Sequence, residues 1–137
     1  QTLTPYVGVI TIFINSLLEG RPPMVFGTGS QVRDFVYVGD VAEANMLAMT
    51  SSVDGTVVNV GSGRGTSVND IASLLISRFG PGIEALRAPL PLGEPRDSVA
   101  DITRARNLLG FNPCTRVEYA INEVIDSVKK GRLAAPA

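Results

Sequence analysis

The stretch VFGTGSQVRDFVYVGDV, residues 25–41, sets a glycine-rich turn between two apolar segments. Met24–Phe26 is predicted to form a short strand. Residues 34–38 (DFVYV) are predicted to form a second strand, apolar on both faces and therefore covered on both. The intervening turn, Gly27–Gln31, has the length of a hairpin loop. Its two glycines leave two hypotheses open: a loop whose amides cradle a phosphate, or the tip of a β-hairpin.

The length and composition are typical of a soluble globular protein. A chain of 137 residues can bury a core of its own, so one domain is expected. Only 18% of the residues are charged and the net charge is −1, which is not the basic excess that binding to nucleic acids or anionic membranes requires. We therefore expect neither nucleic acid nor a membrane as a partner.

The apolar stretch at residues 7–18 is shorter than the ~20 residues that a membrane-spanning helix needs, so it predicts a buried helix. Cys114 is the sole cysteine, which excludes an intrachain disulfide, suits a reducing cytoplasm and predicts an ordinary core residue. The chain begins at Gln1 with an apolar helix close behind it, and we expect a segment of a longer protein.

Missing residue types exclude several kinds of chemistry. The sequence contains no histidine, and its lysines stand at positions 129 and 130. A serine–histidine hydrolase lacks its proton shuttle here, and a metal site lacks the commonest ligand. No glycine-rich loop is followed by a phosphate-binding lysine, which argues against P-loop nucleotide hydrolysis.

Patterns along the chain predict an α/β fold with five helices. Further strands are expected at Thr56–Val60 and Ile83–Arg87, and residues 88–95, with three prolines, are expected to be extended. The predicted helices run from Pro5 to Leu18, from a capping box at Asp40–Glu43 to Ala48, from a cap at Ser67 to Phe79, from Asp101 to Leu109, and from a cap at Thr115–Glu118 to Gly131.

The spacing of the two glycine-rich stretches differs from that of a dinucleotide cradle. Gly27 and Gly29 are followed by Val32 where a third glycine belongs. The second stretch, residues 61–65, is followed by Thr66, and its helix starts with a serine cap of its own. The spacing favours tight turns that need positive φ or close backbone approach.

Arg33 stands between the first turn and an apolar segment, where a long cationic side chain can reach a cleft from a rigid element. One hypothesis is contact with a phosphate, which suits the planar guanidinium. The other is a surface ion pair with Asp34 or Asp40. Spacing by itself gives the two hypotheses equal weight.

Three blocks of sequence resemble, in order and spacing, the C-terminal part of the NAD-dependent nucleotide-sugar epimerase/dehydratase family, which are extended short-chain dehydrogenases/reductases. The blocks are residues 25–41, NVGSGRGTSV at 59–68 and GEPRDSVADITRARNLLG at 93–110. Together they span nearly the whole chain. The resemblance implies an α/β fold: the C-terminal substrate-binding portion of an extended Rossmann-type enzyme, with short strands and about five helices.

The resemblance also implies substrate-binding roles for particular residues. Arg33 matches the arginine that binds the diphosphate of a nucleotide sugar, and Glu94 matches the acid that holds a ribose hydroxyl. The base is expected against Phe26, with Met24 beside it and Val68 lining the same pocket. The implied ligand is a nucleotide diphosphate sugar, a UDP-hexose above all.

Two positions depart from the family pattern. Phe35 occupies an aromatic position where many relatives carry tyrosine, so a hydroxyl contact is expected to be missing. Pro91 stands where relatives commonly have a second phosphate-binding arginine, while Arg87 and Arg96 are nearby but out of register. A weaker or differently built diphosphate site is expected.

The catalytic and cofactor-binding parts of the family are not in this sequence. None of its tyrosines is followed four positions later by lysine, the family's catalytic pair, so no catalytic residue is assigned. The resemblance implies that NAD binds mainly to an N-terminal Rossmann domain outside these residues. Residues 1–131 are expected to form the substrate-binding portion and 132–137 a flexible tail. The full-length enzyme is expected to be a homodimer.

The resemblance favours a nucleotide-sugar epimerase of the UDP-glucose 4-epimerase type, which acts by transient oxidation at sugar C4. This segment would orient the sugar for the cofactor and be inactive alone. A dehydratase or decarboxylase of the same family is the alternative enzyme. A non-catalytic nucleotide-binding or interaction module is the alternative from another class of protein.

Overall fold

The structure is a computed structural model that describes residues 8–80 and 82–133. The chain divides into two compact units. Unit 1 comprises Gln1–Gln31, Ser67–Pro95 and Ile121–Ala137, and unit 2 comprises Val32–Thr66 and Arg96–Ala120.

The described part of the chain contains five helices and five short strands, which confirms the predicted α/β class. No helix in those residues is both long and apolar enough to cross a bilayer. In chain order the elements are α1 (Val9–Leu18), β1 (Met24–Phe26), β2 (Val32–Asp34), α2 (Val38–Thr50), β3 (Gly65–Ser67), α3 (Val68–Phe79), β4 (Leu86–Ala88), β5 (Asp97–Ser98), α4 (Thr103–Leu109) and α5 (Val117–Leu133).

Unit 1 joins a two-stranded sheet to helices α1 and α3. β1 runs parallel to β4, with Met24 opposite Leu86 and Phe26 opposite Ala88. Side chains alternate between the faces of a strand, so Val25 is fully buried while Met24 and Phe26 are exposed. Helix α1 packs against α3. The buried apolar side chains of unit 1 include Phe13, Ile14, Leu17, Ile71, Leu75, Ile121 and Ile125.

Unit 2 is built around β2, which lies between β3 and β5. β2 runs parallel to β5, with Val32 opposite Asp97 and Arg33 opposite Ser98. Its apolar core consists of Ala44 from α2, Ala105 from α4 and Phe111, with Leu47, Val58, Val60 and Leu109 packed against them.

The hypothesis that the Gly27–Gln31 turn is the tip of a β-hairpin is wrong. β1 pairs with β4 and β2 pairs with β5, both in parallel, so the two strands beside the glycine turn do not pair with each other. The second strand ends at Asp34, and helix α2 already begins at Val38. Local alternation could not reveal this, because the pairing partners lie about 60 residues away in the sequence.

Three further predictions are wrong. Residues 56–60 form no strand, although they are apolar. Cys114 is exposed, because the extended segment before α5 alternates and turns Phe111 and Pro113 inward instead. Asp40 does not cap a helix, since it lies inside the first turn of α2, whose N-cap is Tyr37.

The other predicted elements agree with the structure within a few residues. Ser67 and Asp70 form a capping box at the start of α3, and Gly110 closes α4 in the left-handed conformation at φ 69°. Helix α5 continues to Leu133. The tail is predicted to begin at residue 132, but residues 132 and 133 are the last residues of α5. The predicted start of the first helix at Pro5 and the rest of the predicted tail, residues 134–137, lie outside the described residues.

Asp40 has a structural role that its spacing did not indicate. It is 4% exposed, and its carboxylate accepts hydrogen bonds from the Thr115 amide at 3.2 Å and the Thr115 hydroxyl at 3.0 Å. This places an acceptor from α2 against the segment that precedes α5. A buried donor left without its acceptor costs about 1–3 kcal/mol, so the contact helps to hold unit 2 together.

Replacing Asp40 with alanine is expected to lower the free energy of unfolding by about 1–3 kcal/mol, because the Thr115 amide loses its buried acceptor. Urea unfolding followed by circular dichroism measures the change. Glu43→Ala is the matched control and should change stability by less than about 0.5 kcal/mol, because Glu43 is exposed on the same helix. An equal loss in both variants would contradict this assignment and favour a capping box.

Replacing Ser67 with alanine is expected to cost about 1 kcal/mol, because the Ser67 hydroxyl oxygen accepts from the Asp70 amide at 3.1 Å. Thermal unfolding checks the size of the loss. Ser73→Ala, an exposed position in the same helix, should leave stability unchanged or slightly raised. A stable Ser67→Ala variant would show that the capping box contributes nothing.

Candidate functional site

The carboxylate of Asp34, at the end of β2, organises the glycine turn at residues 61–63. It accepts from the Ser62 amide at 2.8 Å, the Ser62 hydroxyl at 2.5 Å, the Gly63 amide at 3.0 Å and the Ala100 amide at 3.2 Å. A Cβ atom at Gly61 would lie 2.6 Å from the Ala100 Cβ atom and 2.7 Å from Asp34 Oδ2. Glycine is therefore required by close approach, as the spacing predicted.

Arg33 precedes this carboxylate and is half-buried. One guanidinium nitrogen, Nη1, donates to the Val32 carbonyl at 2.8 Å. The residue lines an open hollow of about 510 Å³ together with Val36, Asn59 and the segment from Ser98 to Asp101. Unit 2 thus places the cation of Arg33 at a concave surface large enough for part of a nucleotide sugar.

Asp101 lines the same hollow as Arg33 and Asp34. Hydrogen bonds from the Thr103 hydroxyl and the Thr103 amide, the latter at 2.9 Å, hold the pKa of this carboxyl below its usual value. The side chain therefore stays negative in neutral solution. Because Asp34 also lines this hollow, its surface carries one arginine and two carboxylates rather than a uniformly basic set of groups.

Phe35 lies in a different part of unit 2. It lines a smaller hollow of about 180 Å³ with Arg64, Thr66 and Arg116. β2 ends at Asp34, so the alternation that would put Phe35 on the same face as Arg33 is interrupted. The structure does not bring these two predicted site residues into one hollow.

The other four predicted site residues belong to unit 1. Met24 and Phe26 share the open face of β1 and are 37% and 46% exposed. Val68 is the first residue of α3 and is buried, while Glu94 is exposed in the extended segment after β4. An exposed aromatic ring beside a thioether on a sheet face is a surface on which a planar base can stack.

Phe26 and Val68 are joined through Gln31, which the sequence did not single out. The Gln31 side chain donates to the Phe26 carbonyl at 2.9 Å, and the Gln31 carbonyl accepts from the Val68 amide at 3.1 Å. Gln31 is itself buried. The sequence did not indicate that Gln31 is buried, because a glutamine inside a polar turn is usually solvated.

Neither glycine turn has room for the diphosphate of NAD. The Gly63 and Ser62 amides already donate to Asp34, as described above. At Gly29, with φ 74°, an added Cβ atom would lie 2.6 Å from Asn69 Cγ and 2.8 Å from Arg87 Nη1, so protein side chains fill the first turn. The residues present do not fit a dinucleotide cradle at either turn.

Comparison with known proteins gives a consistent result. The sequence profile of the NAD dependent epimerase/dehydratase family matches residues 4–61. Over 119 residues, covering 87% of this chain, the chain is 36% identical to UDP-glucose 4-epimerase of Mycolicibacterium smegmatis. It is 30% identical over 127 residues, 88% of the chain, to UDP-N-acetyl-alpha-D-glucosaminuronate decarboxylase of Bacillus cytotoxicus.

Among solved structures, UDP-glucose 4-epimerase of Thermotoga maritima with UDP-glucose is 38% identical, with a TM-score of 0.84 over 94% of this chain and 42% of that one. The chain spans 38% of the length of the Mycolicibacterium enzyme and 40% of the Bacillus enzyme. It corresponds to the C-terminal portion of such extended short-chain dehydrogenase/reductase epimerases. Sequence and fold together show that the chain belongs to the NAD dependent epimerase/dehydratase family.

Proposed function

We propose that this chain is the substrate-binding portion of an NAD-dependent nucleotide-sugar epimerase of the UDP-glucose 4-epimerase type. The observation that carries the proposal is the 38% identity, with a TM-score of 0.84, to an epimerase whose structure was solved with UDP-glucose. The 36% identity to a second UDP-glucose 4-epimerase supports the same substrate class.

In this proposal each predicted site residue has the role that the family resemblance implies. Arg33 binds the diphosphate, and its half-buried guanidinium at the edge of a hollow suits a charge-assisted contact. The base lies against Phe26 and Met24, with Val68 behind them, and Glu94 accepts from a ribose hydroxyl. Phe35 contributes an aromatic surface without a hydroxyl group.

NAD is proposed to bind mainly outside this chain, since neither glycine turn accepts it. The chemistry that NAD would supply is reversible hydride transfer at sugar C4. The contribution of this chain would be to hold the sugar nucleotide in a fixed orientation, which removes translational and rotational freedom before the reaction.

A decarboxylase of the same family is the second candidate. Its support is the 30% identity to UDP-N-acetyl-alpha-D-glucosaminuronate decarboxylase of Bacillus cytotoxicus and the 31% identity to UDP-glucuronic acid decarboxylase 1 of Xenopus tropicalis. Both candidates use a UDP-sugar, so the base and diphosphate contacts are shared between them. Titrating the chain with UDP-glucose and with UDP-glucuronic acid separates them, because the substrate of a decarboxylase carries a carboxylate on the sugar: tighter binding of UDP-glucuronic acid supports the decarboxylase.

Arg33→Ala is expected to weaken the binding of UDP by about 10-fold to 100-fold, the equivalent of one charge-assisted hydrogen bond of about 1.5–3 kcal/mol. Titration calorimetry of the chain with UDP measures the dissociation constant. Arg33→Lys should recover only part of the loss, because an ammonium group cannot donate two parallel hydrogen bonds to two oxygens as a planar guanidinium does.

Arg106→Ala is the matched control for this titration. Arg106 is an exposed arginine of α4 in the same unit and should leave the affinity for UDP unchanged. Equal affinity in Arg33→Ala and the unaltered chain would refute the diphosphate role. Equal losses in Arg33→Ala and Arg106→Ala would reduce that role to a general effect of positive charge.

By itself, the chain is expected to show no epimerisation of UDP-glucose in the presence of NAD, because no tyrosine in it precedes a lysine by four positions. Proton NMR of the anomeric signals detects conversion to UDP-galactose. Turnover by the purified 137 residues would overturn the assignment of catalysis to sequence outside them.

A further inference from the structure

We infer that Arg87 and Asn69 are positioning residues of the nucleotide site, and that they act by clamping the Gly27–Gln31 turn. The inference rests on the proposed function, in which Phe26 and Val68 form the base-binding surface. Arg87 and Asn69 would be the groups that hold this surface in place. All the residues involved belong to unit 1.

We use the name clamp for the side chains of Asn69 and Arg87 together with the Thr28 carbonyl to which both donate. The carbonyl accepts from Asn69 Nδ2 at 2.8 Å and from Arg87 Nη1 at 2.9 Å. The same Arg87 nitrogen also donates to Asn69 Oδ1 at 2.9 Å, so the two side chains hold each other as well as the turn. One carbonyl is thereby fixed by a residue on α3 and a residue on β4.

Backbone bonds extend the clamp along the turn. The Asn69 amide donates to the Gly29 carbonyl at 3.0 Å, and the Val68 amide donates to the Gln31 carbonyl at 3.1 Å. The first amides of a helix have no partner within the helix, and here the carbonyls of the turn supply one. The N-terminus of α3 is thus bound to the turn.

Phe26 lies at the start of this network. Its carbonyl accepts from the Gln31 side chain, and its amide-linked neighbour Gly27 donates to the Ala88 carbonyl at 2.7 Å. The strand register puts Arg87 next to Ala88, the residue opposite Phe26. Displacement of the turn would therefore move the backbone that carries the Phe26 ring.

Gly29 shows how closely the clamp is fitted. Its positive φ is one that side-chain-bearing residues seldom adopt, and the atoms nearest to its missing Cβ belong to Asn69 and Arg87. The glycine permits both side chains to approach the backbone. Arg87 thus supports the turn, and its sequence position, out of register with the family's second phosphate-binding arginine, gave it no predicted role.

The test compares uridine, which has no phosphate, with UDP. Arg87→Ala is expected to weaken both by the same factor, about threefold to tenfold, because a misplaced Phe26 surface affects the base in either ligand. Arg87→Lys should lose less, since an ammonium can still donate to the Thr28 carbonyl. Two-dimensional NMR titration of the chain measures both dissociation constants, and Arg78→Ala on the exposed face of α3 is the control that should change neither.

Hydrogen exchange gives a readout that does not depend on ligand. In Arg87→Ala the Val68 and Asn69 amides, which donate to the turn, should exchange faster than in the unaltered chain. The Leu75 amide, in the buried part of α3, should keep its rate. A variant that is merely less stable would accelerate all three amides by global unfolding, and that result would overturn the positioning role.

The remaining outcomes are also decisive. A larger loss for UDP than for uridine would mean that Arg87 contacts phosphate directly, and unchanged affinity for both ligands would mean that the clamp does not support the base surface. Either result overturns the inference while leaving the proposed function in place. If the unaltered chain binds neither ligand, the proposed function itself fails, and the positioning role fails with it.

Discussion

The carboxylate of Asp34 is the interaction on which unit 2 depends. Four donors converge on two oxygens: three backbone amides and one hydroxyl, from the 61–63 turn and the segment after β5. β2 and β5 are short, at three and two residues, and strands of that length provide few ladder bonds of their own. The carboxylate therefore supplies the connections that a longer sheet would make, directly beside Arg33.

Unit 1 holds its own glycine turn in place with a different set of hydrogen bonds. There the carbonyls of the Gly27–Gln31 turn act as acceptors, and the donors come from the start of α3 and from Arg87. In both units a glycine turn is filled by the protein's own polar groups. The backbone of each turn is therefore used for internal hydrogen bonding, and the side chains of Phe26 and Arg33 stay on the open surfaces of their own units.

The similarity of this chain to both epimerases and decarboxylases is consistent with the proposed substrate-binding role. The proposed contacts are to the base and the diphosphate, which are common to many UDP-sugars, so relatives with different reactions can share such a portion. The choice of reaction then depends on groups that face the sugar and the cofactor. This explains why the family of the chain is plain while its exact reaction is a proposal.

Local sequence alone determined the elements whose signals are contained in a few neighbouring residues. The capping box of Ser67 and Asp70, the apolar stripe of α3 and the closure of α4 at Gly110 all follow from such spacing. The five helices and the family were predictable for this reason. The three blocks that resemble the family contain five of the six proposed site residues, and Met24 immediately precedes the first block. The roles of all six stay predictions.

Only the tertiary structure decided which strands pair and what the polar side chains do. β1 and β2 look like a hairpin, yet each pairs in parallel with a strand about 60 residues away. Asp40 resembles a cap but binds Thr115, 75 residues further on, and Arg87 binds Thr28 across 59 positions. The physical reason is that these hydrogen-bond partners meet only when the chain folds. Neither of the two segments that they join therefore contains a periodic pattern that would predict the bond.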